Sequence, residues 1–137
     1  MRVEPYLIFD GRCEEALSFY RQALGAEIGM VLRFKDNPDP LPPDALPPNA
    51  ADKIMHAVFK VGKSTVMASD GRCVGPPRFE GFSMALNVKD EGEAKLRFTA
   101  LSDGGQVQMP LAKTFFSPCF GMVMDRFGVS WMTTVYL

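Results

Sequence analysis

Residues Tyr6–Ile28, YLIFDGRCEEALSFYRQALGAEI, hold a short apolar strand, a break, an amphipathic helix, a glycine stop and the entry to a second strand. The helix shows in its spacing. Cys13, Leu17, Tyr20 and Leu24 recur at i, i+4, i+7 and i+11, one stripe at the helical period. Gly25 stands where a left-handed helix stop belongs. The preceding strand, Val3–Phe9, is bounded by Pro5 and Asp10-Gly11, and Glu27–Phe34 resumes an extended pattern.

A blurred copy follows. At an offset of 79 residues, Glu14 meets Glu93, Leu17 meets Leu96, Phe19 meets Phe98 and Gly25 meets Gly104. Val3, Leu7, Phe9 and Ile28 meet Phe82, Leu86, Val88 and Val107 in the same register. The hairpins match at an offset of 66, Gly62 with Gly128 and Ser64 with Ser130. The two offsets differ by 13, about the length of the proline-rich stretch Asp36–Pro48 that only the first half carries. That stretch reads as an exposed loop, with a lid as the functional alternative.

Each half therefore predicts β-α-β-β-β. Ile54–Val61 and Ser64–Ser69 flank Gly62-Lys63 as a hairpin, and Asp70–Pro77 is a Gly/Pro-rich linker. Phe82–Val88 opens the second half, Asp90 caps a helix bearing Ala94, Phe98 and Leu101, and Gln106–Met109 is the next strand. A loop carrying Pro110 and Pro118 leads to a last hairpin, Gly121–Met124 and Val129–Val135. One such module cannot cover both faces of its sheet. The expectation is an α+β fold, residues 1–137 as a single domain of two βαβββ modules, about 1–70 and 80–137. Together they form a strongly curved mixed sheet around a cavity.

Composition excludes several classes. A formal net charge of −1 and a pI near 5.8 give no electrostatic footprint for nucleic acid or an anionic membrane. No apolar run approaches the roughly 20 residues that span a bilayer, and the N-terminus lacks signal-peptide character. The cytoplasm is the default location. Cys13, Cys73 and Cys119 have no C-x-x-C spacing, so neither a disulfide framework nor a structural zinc site is expected. The nine methionines read as core filler, with a pliable ligand pocket as the alternative.

Seven stretches carry a family likeness: YLIFDG at 6–11, EALSFYRQALG at 15–25, His56-Ala57, ASD at 68–70, GGQVQM at 104–109, Thr114–Phe116 and DRFGVSWM at 125–132. In these the chain resembles the vicinal oxygen chelate superfamily of glyoxalases, bleomycin-resistance proteins and extradiol dioxygenases, and within it the PhnB-like family. The resemblance implies the glyoxalase/bleomycin-resistance fold and a homodimer. It also implies a divalent metal held by inward His and Glu side chains on the first and last strands of each module. The corresponding strands here carry Tyr6-Leu7-Ile8, Val66-Met67-Ala68, Ser83-Met84-Ala85 and Trp131-Met132-Thr133, with no His, Glu or Asp among them. The family also bears a label of ubiquinone-precursor methyltransferase. No glycine-rich loop opens a helix after a strand to support it.

His56 is the chain's single histidine, which excludes a two-His site within one chain. It reads either as a ligand-facing donor or base or as a structural residue satisfied near a strand end. Asp70 and Asp125 read as turn formers, and Cys119 as structural. Phe116 and Trp131 are the aromatic candidates to line the hollow. No cofactor and no metal site are expected, although a metal held by loop oxygens is conceivable. The reading is a binder of a small apolar or aromatic molecule in the inter-module cavity, with His56, Phe116 and Trp131 as ligand contacts. The alternative is a lyase, isomerase or dioxygenase with an atypical metal or a His56-based site, which leaves open whether the chain catalyses a reaction.

Overall fold

The structure, a computed structural model, describes residues 1–39, 42–45, 49–73 and 75–136. It divides into two compact units, Met1–Pro77 and Arg78–Leu137. The first runs β1 (Tyr6–Ile8), α1 (Cys13–Leu24), β2 (Glu27–Arg33), β3 (Ile54–Val61) and β4 (Ser64–Ser69). The second runs β5 (Met84–Val88), α2 (Glu91–Ser102), β6 (Gln106–Ala112), β7 (Phe120–Met124) and β8 (Ser130–Val135). Each unit holds its own four-stranded mixed sheet, ordered β1-β4-β3-β2 and β5-β8-β7-β6. In each, the first and last strands pair in parallel and the rest antiparallel. The expected α+β architecture of two βαβββ modules is present, with hydrogen bonding that closes two sheets rather than one continuous sheet.

In the first unit α1 buries Cys13, Ala16, Leu17, Phe19, Tyr20, Ala23 and Leu24. Tyr20 stacks on Phe59 at 5.8 Å between ring centroids and meets Phe9 at 6.2 Å. Each such side chain withdrawn from water contributes roughly 1.5–3 kcal/mol. Gly25 adopts φ +66°, and the N–H groups of Gly25 and Ala26 donate to Arg21 O and Tyr20 O, which ends the helix. Two-residue closure at Gly62-Lys63 sets Val61 opposite Ser64.

The second unit repeats the plan with small shifts. Both helices have 12 residues, and their starts differ by 78 rather than 79. At 78, buried Ala16 and Tyr20 fall on buried Ala94 and Phe98. At 79, buried Leu17 falls on Leu96, which is 61% exposed. Asp90 accepts from Glu93 N–H at 2.8 Å, the expected cap, while the Glu93 carboxylate pairs with Arg97. Val88, Ala94, Cys119 and Val135 pack together with Leu86 and Leu111.

Three boundaries differ from expectation. Strand β1 starts at Tyr6 rather than Val3 because Pro5 has no N–H to donate, although its carbonyl accepts from Met67 N–H at 2.9 Å. Strand β5 starts at Met84 rather than Phe82. Strand β6 runs through Pro110 to Ala112, where a loop was expected. It is an edge strand with irregular register between Met109 and Ala112, the setting in which a strand tolerates proline. Between β2 and β3, in and around the proline-rich stretch, only short 3-10 turns occur among the described residues, at Phe34–Asp36, Pro43–Ala45 and Ala50–Asp52. The remaining part of that loop, Pro40, Leu41 and 46–48, lies outside the described residues.

Thr133 is fully buried on β8, and among the described residues its hydroxyl has no hydrogen-bond partner. Thr133→Val keeps the shape and removes the unsatisfied group. It should raise stability by about 1 kcal/mol in urea denaturation.

Candidate functional site

Each sheet has one face on its helix and one face without it. In the first unit Phe59 meets Tyr20, so Ala57 and Phe59 mark the helix side of β3 and His56 and Val58 the other. Register extends that second face. Leu32 pairs with His56, Met67 with Val58, and Tyr6 with Met67, while Ile8 follows Tyr6 at i+2. In the second unit a Cβ on Gly121 would come within 2.8 Å of Phe98, so Gly121 and Val123 face α2. The opposite face carries a row across four strands: Met109, Met122, Met132 and Ala85.

None of the nine methionines is buried, which overturns their reading as core filler. Met67, Met122 and Met132 are partly buried and Met109 is 46% exposed, all on helix-free faces. These thioethers make a soft apolar surface of adaptable shape.

His56 stands on the first unit's helix-free face, partly buried. Its Nδ1 is hydrogen bonded to the Tyr6 hydroxyl at 2.9 Å, with ring centroids 5.5 Å apart. Loss of water around the Tyr6 ring raises its phenol above the ordinary value. The structure thus joins His56 to a residue the sequence marked only as a strand start.

Phe116 lies in the β6–β7 connection and is 46% exposed. Thr114 Oγ1 accepts from Phe116 N–H and Ser117 N–H at 3.3 and 3.0 Å, which shapes the turn. The Phe116 ring meets Phe120 edge-on at 5.0 Å, and Phe120 shares its strand face with Met122. Phe116 therefore stands beside the methionine row, past Met122 in the direction of β7. Trp131 is 3% exposed, on the same side of β8 as Thr133 and Val135, and its Nε1–H donates to Asp125 Oδ2 at 2.9 Å.

Both candidate aspartates are committed to structure. Asp125 Oδ1 accepts from Phe127 and Val129 N–H, the turn expected there. Asp70 does more than form a turn. Its Oδ1 accepts from Gly11 and Cys13 N–H at 2.7 and 2.8 Å, and its Oδ2 from Ile54 N–H at 2.8 Å. It thereby caps α1 from the end of β4, where Arg12 supplies no side-chain cap. Burial, Asp70 and Glu14 push the Cys13 thiol up to about 12, so it offers no nucleophile.

The donor chemistry does not fit the superfamily's metal. Where His and Glu are implied, the strands place a phenol bonded to His56, thioethers at Met67 and Met84, and an indole that can only donate. Among the described residues, no group of three or more His, Cys, Asp and Glu is arranged to share an ion.

A groove of about 710 Å³ also opens in the first unit, beside the start of α1. Most of its charged side chains already have partners. Arg33 pairs with Glu14, Lys35 with Asp52 at 2.8 Å, and Lys53 Nζ donates to Gly11 O at 3.0 Å.

Residues 1–134 match the model of the 3-demethylubiquinone-9 3-methyltransferase family. The chain belongs to this family. Protein YjdN of Escherichia coli is 33% identical across 98% of the chain and 95% of its own length. Among solved structures, protein PA1353 from Pseudomonas aeruginosa is 44% identical with a TM-score of 0.86, covering 99% of this chain and 98% of its own. The PhnB protein from Bacillus cereus is 27% identical with a TM-score of 0.79, covering 98% and 99%. The PhnB-like resemblance is thereby established. A glyoxylase/bleomycin resistance protein/dioxygenase domain from Frankia sp., 13% identical over 100% and 98% of the two chains, shares the fold with a TM-score of 0.65. No helix among the described residues is long and apolar enough to cross a membrane.

Proposed function

We propose that this family member binds a small apolar or aromatic molecule on the helix-free faces of its sheets, without the superfamily's His/Glu metal site. The observation that carries the reading is the placement of methionine. A chain that leaves all nine unburied, with a row of them across one sheet, offers polarizable area to a ligand. His56 and Phe116 supply a polar and an aromatic contact. Trp131 enters the reading as buried support of β8. Methyl transfer, named in the family's description, is not the activity we propose. Both parallel pairs join the first and last strands of a unit, a different arrangement from a strand-helix-strand nucleotide unit.

The test uses the neutral fluorophore N-phenyl-1-naphthylamine. Its emission should rise and shift to the blue with the wild-type protein. Met132→Gln and Met109→Lys should each weaken binding by roughly tenfold, through lost apolar contact. Emission that never departs from the buffer value, or variants that bind like wild type, would sink the reading. Native mass spectrometry separates the binder from an enzyme with an atypical metal site. A homodimer without a stoichiometric divalent ion is expected, and one bound divalent ion per chain argues for the enzyme.

A further inference from the structure

We propose that His56, held by Tyr6, is the hydrogen-bond donor that recognises a neutral carbonyl oxygen on an apolar or aromatic ligand. This deepens the binding reading above and rests on it.

The argument begins with a proton. A phenol is a stronger acid than an imidazole N–H, and an imidazole nitrogen is a stronger base than a phenol oxygen. Across the 2.9 Å contact the Tyr6 hydroxyl therefore donates and His56 Nδ1 accepts. A neutral imidazole has one N–H, so with Nδ1 accepting, the proton sits on Nε2. Tyr6 thus fixes the tautomer. Among the described residues Nε2 has no protein hydrogen-bond partner. It is a donor on a face whose neighbouring members are Leu32, Val58, Met67 and Ile8. On a partly buried side chain, a donor left without a protein partner is available to a ligand that brings an acceptor.

The surroundings select the kind of acceptor. Lys60 is the one cation that strand alternation puts on this face of β3. It lies four residues from His56, about 13 Å along the strand, and opposite Glu27. A carboxylate at Nε2 would lose water without gaining a counter-charge. A ketone, aldehyde or quinone oxygen needs only the one donor, and its hydrocarbon body suits the rest of the face.

Three naphthalenes of one shape test this by displacement of N-phenyl-1-naphthylamine at pH 8: 2-acetylnaphthalene, its alkene isostere 2-isopropenylnaphthalene, and 2-naphthoate. The ketone should bind about tenfold tighter than the alkene, and the naphthoate more weakly than the ketone. His56→Leu should bind ketone and alkene equally. His56→Gln, which carries an N–H near the Nε2 position, should keep part of the preference. Tyr6→Phe should cut it to threefold or less. Because the chain has a single histidine, the long-range ¹H–¹⁵N spectrum of labelled protein reads the tautomer directly. Protonated Nε2 is expected in the wild type and a tautomer mixture in Tyr6→Phe. Protonated Nδ1 in the wild type, or tightest binding by naphthoate, overturns the inference. Equal binding of ketone and alkene by the wild type overturns it too and leaves the apolar reading standing. Binding of none of the three, with no response from the fluorophore, overturns both.

Discussion

Asp70→Ala should cost the protein about 3–5 kcal/mol, read as a drop in the urea midpoint followed by circular dichroism. The carboxylate is 1% exposed and satisfies three backbone donors: Gly11, Cys13 and Ile54. Alanine leaves those N–H groups without their acceptor, and each buried orphan costs about 1–3 kcal/mol. The loss also removes the carboxylate that accepts at the start of α1, where Arg12 supplies no side-chain cap, so the first turn of that helix should exchange its amides fastest. Asp70→Asn keeps one oxygen but sets an NH₂ group against a backbone donor, and should fall between alanine and wild type. A loss below 1 kcal/mol for alanine would show that water replaces the carboxylate, and the capping account would fail.

Tyr20→Ala should cost a similar 3–5 kcal/mol, by a different route. Tyr20 is fully buried, with Phe9, Phe19 and Phe59 at ring separations of 6.2, 5.6 and 5.8 Å. Removing the ring leaves a cavity walled by three aromatics that cannot collapse together, because Phe9 sits just past β1, Phe19 on α1 and Phe59 on β3. Tyr20→Phe keeps the stack and should cost much less. If the alanine variant lost no more than the phenylalanine variant, the aromatic cluster would not be what anchors α1 to its sheet.

How legible this was in the sequence depends on the range of the interaction. The β3–β4 hairpin and the helix stripe Cys13, Leu17, Tyr20 and Leu24 were readable because period and turn chemistry are local. Family motifs covering most of the chain gave the fold its name. Asp70 was not readable as a cap, because Gly11 and Cys13 lie 59 and 57 residues away. Strand alternation shows that Trp131 and Met132 face opposite ways, but not which of them faces the helix. The core side was decided by α2, and it took Trp131. The same ambiguity hid methionines such as Met67 and Met122, which sit between apolar neighbours whose core side is named only once the helix is in place. The Tyr6–His56 contact spans 50 residues and two strands that are not adjacent in the sheet, so no local pattern announces it.

The central claim is that the helix-free faces receive a small apolar or aromatic molecule. Nine methionine methyl groups report on it residue by residue in a ¹³C-methyl spectrum, with assignments from single substitutions. On titration with 2-acetylnaphthalene, the signals of Met67, Met109, Met122 and Met132 should shift and saturate, while Met1 stays fixed. Unmoved signals at those four positions, or shifts spread evenly over all nine, would contradict it.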